Sequence, residues 1–133
     1  MIVVDCSLTM AWCFEDERTD DTDLLLDRVL EEGAWVPNLW VYEVANVLTV
    51  GLRRGRLTQE DCHTVIGLLE KLPITEAPFD MMIDTLVSGA EEYGLTAYDT
   101  AYLMTARTLG VPLGSLDTQL REACTTIGID VVP

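Results

Sequence analysis

Short apolar runs alternate with stretches of helical periodicity along this chain, and that alternation restricts the fold more than any other feature. Runs at 2–4, 34–36, 73–75, 112–115 and 129–132 read as buried strands. Between them, helical patterns cover 7–14, 20–32, 38–54, 58–71, 79–93, 97–109 and 118–127. Strands separated by helices are the signature of an α/β sheet. Thr58-Gln-Glu-Asp61 and Thr96-Ala-Tyr-Asp99 each place a hydroxyl three residues before a carboxylate and predict helix starts. Gly94, Gly110 and Gly128 each follow a helical pattern, as a left-handed terminating residue does.

A chain of 133 residues that is 49% hydrophobic can bury a continuous core, and one domain spanning 1–133 is expected. Cys6, Cys13, Cys62 and Cys124 are widely spread with no C-x-x-C, which disfavours a zinc ribbon or a redox pair and fits reduced thiols. The first residues lack a basic region followed by an apolar stretch, and Pro37, Asn38, Glu43 and Asn46 interrupt the richest apolar segment. A soluble, cytoplasmic protein without a membrane segment is the expectation. The formal net charge of −15 excludes a non-specific nucleic-acid coat, although not a local basic patch. Much of the negative charge lies between Glu15 and Glu32, which reads as a solvated loop and helix face without the glycine of an EF-hand loop.

Four acids stand out. Asp5 ends the first strand-like run and Asp117 follows the fourth, at the strand ends where open parallel sheets bind ligands. Glu43 interrupts the apolar segment Leu39–Leu48, and Asp99 lies just inside a helix start. A carboxylate among apolar residues is costly unless paired, protonated or bound to a cation. With eight basic residues in the chain, four separate buried ion pairs are a poor account, and one shared divalent cation is a simpler one. Each acid also has a plainer reading: Asp5 and Asp117 as helix caps, Asp99 as the partner of Thr96 in a capping box, Glu43 as an incidental exposed acid. Asn46, three residues beyond Glu43, faces roughly the same way and could orient a carboxylate or a water, as could Ser7 and Ser115, two residues from Asp5 and Asp117. Arg53, Arg54 and Arg56 form the one concentrated positive feature, either contacting an anionic partner or complementing a helix C-terminus. His63 reads as an ordinary surface residue, and the aromatic residues, Tyr102 included, read mostly as core or interface.

Val4-Asp-Cys-Ser7, Pro37-Asn-Leu-Trp-Val-Tyr-Glu-Val-Ala-Asn46, Leu95-Thr-Ala-Tyr-Asp-Thr-Ala-Tyr102 and Leu113-Gly-Ser-Leu-Asp117, taken in this order and spacing, resemble PIN-domain proteins, specifically VapC-like toxin ribonucleases of type II toxin–antitoxin systems. The match spans nearly the whole chain. The resemblance implies a three-layer α/β/α PIN-like fold with a central, mostly parallel sheet of about five strands. It further implies an acidic pocket in which Asp5, Glu43, Asp99 and Asp117 hold Mg²⁺ or Mn²⁺ and cleave RNA phosphodiesters, in tRNA or rRNA. A cognate VapB-like antitoxin and a homodimer are the implied partners. Thr118 stands where many relatives carry a basic residue, and that departure, with the negative net charge, bears on RNA affinity. A non-catalytic PIN-like interaction domain retaining a metal site is the alternative. Receiver-like chemistry is disfavoured because Cys6 follows Asp5 and Lys71 is the only lysine, and haloacid-dehalogenase-like chemistry because Ser7 replaces the second acid of D-x-D.

Overall fold

A computed structural model describes residues 1–133. Five strands, β1 (Ile2–Val4), β2 (Ala34–Val36), β3 (Ile74–Glu76), β4 (Leu113–Gly114) and β5 (Val131–Val132), pair in parallel in the order β3-β2-β1-β4-β5. Seven α-helices connect and cover them: α1 (Cys6–Cys13), α2 (Asp20–Glu32), α3 (Leu39–Arg53), α4 (Gln59–Lys71), α5 (Ile83–Tyr93), α6 (Ala97–Leu109) and α7 (Thr118–Thr126). The expected α/β sheet is present, and its pairings are all parallel.

The central strand shows why the protein has three layers. Successive side chains of a strand point to opposite faces, and β1 is buried on both. Val3 packs with Tyr102, Leu103 and Ala106 of α6 and with Leu120 and Cys124 of α7. Its neighbours Ile2 and Val4 pack with Leu8 of α1 and with Leu25 and Val29 of α2. A strand apolar at every position suits a parallel sheet covered on both sides. A third cluster, Met10, Phe14, Val44, Leu48, Cys62 and Val65, fastens α3 and α4 to α1.

Helix limits follow local chemistry. Thr58 accepts the Asp61 amide at 3.0 Å while Asp61 accepts the Thr58 amide, a complete capping box. The predicted helix over 79–93 begins only at Ile83, since Pro78 and the uncapped segment after it do not support the first turn. A short 3₁₀ turn at Glu15–Glu17 lies within the acidic stretch read as loop.

Gly114 on β4 brings the layers together where it matters. A β-carbon there would lie 2.6 Å from Leu8 Cδ2 and 3.3 Å from Ile2 Cδ1. The missing side chain lets α1 lie close over β4, which sets Ser7 of α1 beside Ser115 at the end of β4, with their hydroxyl oxygens 3.4 Å apart.

Candidate active site

In a sheet ordered β3-β2-β1-β4-β5, the chain winds one way from β1 through β2 to β3 and the other way from β4 to β5, so the crevice beyond β1 and β4 is the topological switch point. Asp5 and Asp117 arrive there from those strands, Glu43 from α3 and Asp99 from α6.

Asp5 is 3% exposed and fully engaged. Its Oδ1 accepts the Leu8 amide at 2.9 Å and the Ser7 hydroxyl at 2.7 Å. Its Oδ2 accepts the Ser7 hydroxyl at 2.9 Å and a short bond from Ser115. The two serines are held in turn: Ser7 Oγ accepts the Leu116 amide at 2.9 Å, and Ser115 Oγ accepts the Asp117 amide at 3.0 Å. Burial raises the Asp5 pKa, the bonds from Leu8, Ser115 and Ser7 oppose that, and the Asp117 charge adds to it. Asp5 therefore caps α1 and stands at the crevice at once. Asp117 combines the same two placements, its Oδ1 accepting the Leu120 amide at 2.8 Å at the start of α7.

Asp99 differs. Thr96 accepts its amide at 3.0 Å, yet the reciprocal half of the capping box is not formed, in contrast to Thr58 and Asp61. Its carboxyl is pushed up to about 6, first by partial burial and then by the charges of Asp117, Asp5 and Glu43, with the Thr96 hydroxyl opposing. The charges of the other three predicted acids thus reach Asp99.

Glu43 is half-buried, and its Oε1 accepts a 2.6 Å bond from the hydroxyl of Tyr102 on α6. Burial, then this bond, push the phenol well above its ordinary pKa, so it stays a donor. The helix carrying Glu43 is tied down one turn earlier, where Trp40 Nε1 donates to Thr9 Oγ1 at 3.0 Å and Thr9 donates to the Asp5 carbonyl at 2.8 Å. Cys6 lies close by with its thiol pushed up to about 12, by burial first and then by Glu43 and Asp5, so it is neutral.

Carboxylate oxygens in mutual repulsion are the donor set that hard cations such as Mg²⁺ and Mn²⁺ prefer. The side chains are nevertheless not drawn around one point: no three of the Asp, Glu, Cys or His residues form a metal-ligating group. The chemistry of the set fits such a cation.

Ser7 and Ser115 both donate to Asp5, and Ser115 meets Asp117 only through its backbone amide. Asn46 is exposed and makes no hydrogen bond to Glu43; Tyr102 holds that carboxylate instead. Arg56 turns away, bonding Asp16 at 3.0 Å and Glu17 at 2.8 Å and stacking 3.8 Å above the Phe14 ring, whereas Arg53 and Arg54 are exposed and form no ion pair. His63 is exposed on α4. Sequence reasoning placed Tyr102 in the core, where it does lie at 1% exposure, and missed its hydroxyl. The available signal was its spacing of one helical turn from Asp99.

No family model matches the chain. It is 28% identical over 123 residues to Ribonuclease VapC3 of Pyrobaculum aerophilum, a match covering 91% of this chain and 92% of that protein. The crystal structure of PAE2754 from Pyrobaculum aerophilum matches it with a TM-score of 0.72 and 26% identity, covering 98% of this chain and 83% of that one. The resemblance to VapC-like PIN domains and the three-layer α/β/α fold are borne out by these likenesses.

Proposed function

We propose that this VapC-like PIN domain is a metal-dependent endoribonuclease and the toxin of a toxin–antitoxin pair. Asp5, Glu43, Asp99 and Asp117 form its active site. The observation that supports the reading is that Asp5 and Asp117 follow β1 and β4 at the switch point and that the charges of Asp117, Asp5 and Glu43 act on Asp99, in a chain similar to a ribonuclease. Mg²⁺ or Mn²⁺ held by these acids would relieve the repulsion and supply an acidified water for attack on phosphorus. Ser7 and Ser115 fix Asp5. The Asp99 carboxyl, pushed up to about 6, exchanges its proton close to neutrality. Arg53 and Arg54, exposed and in no ion pair, are the candidates for contacting RNA phosphates. The substrate is an RNA, with tRNA and rRNA the classes to test, and a VapB-like antitoxin and self-association into a dimer complete the reading.

A non-catalytic PIN-like interaction domain is favoured by one observation: the acids are not gathered for ligation. Incubating purified protein with tRNA and rRNA pools and Mg²⁺ or Mn²⁺ decides between the two. Discrete metal-dependent fragments, lost in Asp5→Asn and Asp99→Asn, are expected. A folded wild type that binds the cation and cuts nothing would establish the interaction domain.

A further inference from the structure

Tyr102 is a buried side chain of the core whose polar atom reaches one of the four acids, as that of buried Ser115 reaches Asp5. Its ring packs in the cluster around Val3, Leu103 and Leu113, and the residue is 1% exposed. Its hydroxyl lies 2.6 Å from Glu43 Oε1, across 59 residues of sequence, in a bond between a neutral donor and a carboxylate. Bonds of this charge-assisted kind are short and about twice as strong as neutral ones.

The four acids are restrained in different ways. Asp5 is held by three donors and Asp117 by a helix amide. Asp99 sits one turn before Tyr102 on the same helix. Glu43 has the longest side chain of the four, on a partly exposed stretch of α3, and its Oε1 bond to Tyr102 is its only side-chain hydrogen bond; Oε2 has none. A glutamate without that bond would sample several rotamers, at an entropic cost to any ligand requiring one of them.

We infer that Tyr102 is a positioning residue: its hydroxyl fixes the Glu43 side chain against α6, so that Glu43 and Asp99 hold a set separation and Glu43 Oε2 is kept for the cation. The inference rests on the metal-dependent reading for its consequence, though not for the restraint itself. Removing an outer partner of a metal ligand commonly weakens the metal by about 10- to 100-fold.

The test pairs Tyr102→Phe, which keeps the ring and its packing, with Glu43→Gln, which keeps the tyrosine and removes the charge. In metal-free protein, NMR should show a protected, downfield Tyr102 hydroxyl proton that moves upfield in Glu43→Gln, and side-chain couplings of Glu43 that are fixed in wild type and averaged in Tyr102→Phe. Calorimetric titration with Mn²⁺ should show affinity reduced about 10-fold or more in Tyr102→Phe, with its thermal midpoint close to wild type. Unaveraged Glu43 couplings in Tyr102→Phe, or Mn²⁺ affinity equal to that of a wild type that binds the ion, would overturn the positioning role. A wild type that neither binds Mn²⁺ nor cleaves RNA would refute the metal-dependent reading, and the couplings would still decide the restraint.

Discussion

Replacing Asp99 with asparagine should stabilise the metal-free protein at neutral pH. The carboxyl is raised from an ordinary 3.8 to about 6 in the folded chain. At about 1.4 kcal/mol per unit, ionising it in the folded state carries a penalty of at most about 3 kcal/mol. Because Asp99 is only half-buried, solvent screening reduces this to roughly 1 to 1.5 kcal/mol, which for a domain of this size is about 3–6 °C in Tm. The pH dependence has a definite sign. A raised folded-state pKa means that the native chain holds this proton more tightly, so wild-type stability falls as pH rises from 3.8 to about 6 and the penalty is constant above that. Asparagine has no such penalty and leaves the Thr96 bond to the backbone amide in place. Urea unfolding in the presence of a chelator, at pH 7.5 and at pH 4, reads the difference. A gain at pH 7.5 that largely disappears at pH 4 is expected. Equal or lower stability of the variant at pH 7.5, or the same gain at both pH values, would refute the repulsion argument. Mn²⁺ at about 100 times its Kd should reverse the order, since the wild type alone then gains about 2.7 kcal/mol.

Mn²⁺ affinity measured by calorimetry should be level above pH 6 and fall below it, by up to about tenfold per pH unit, as the cation competes with the proton on Asp99, whose carboxyl stands at about 6. Ser115→Ala removes a donor to Asp5 and the acceptor of the Asp117 amide; denaturant unfolding should show a loss of about 1–3 kcal/mol. That loss should be greater at high pH, where Asp5 is ionised, than at low pH, because the lost bond opposes the raised Asp5 pKa. Gly114→Ala puts a methyl 2.6 Å from Leu8 Cδ2; a cost of about 1–3 kcal/mol, seen as a lower urea midpoint, is expected, together with weaker Mn²⁺ binding as α1 and Ser7 shift.

The strand–helix alternation was legible because each element carries its own period, so α2, α4 and α6 fall within a residue of where their patterns place them. The four acids were legible because a carboxylate among apolar residues is anomalous wherever it stands. Asp5 and Asp117 turned out to be helix caps, and each also stands just past a strand end beside the switch-point crevice. What could not be read is which side chain meets which. Nothing in the local pattern around Glu43 points to Tyr102 rather than Asn46, because the choice depends on how α6 packs on β1. The fate of Arg56 likewise depends on a 3₁₀ turn about forty residues away. The delayed start of α5 reflects a segment with helical composition and no cap.

The strand order also dictates when the crevice comes into being. β1, β2 and β3 come from the first 76 residues and can pair as soon as they exist, whereas Asp5 meets Ser115 only across 110 residues. Contacts of such sequence separation form late, after the loop between them has closed. During synthesis, a chain ending before Ser115 leaves Asp5 without its clasp and the crevice without Asp117, however well its first half has folded. Under the toxin reading, the growing polypeptide lacks part of its proposed site until Ser115 and Asp117 have been added.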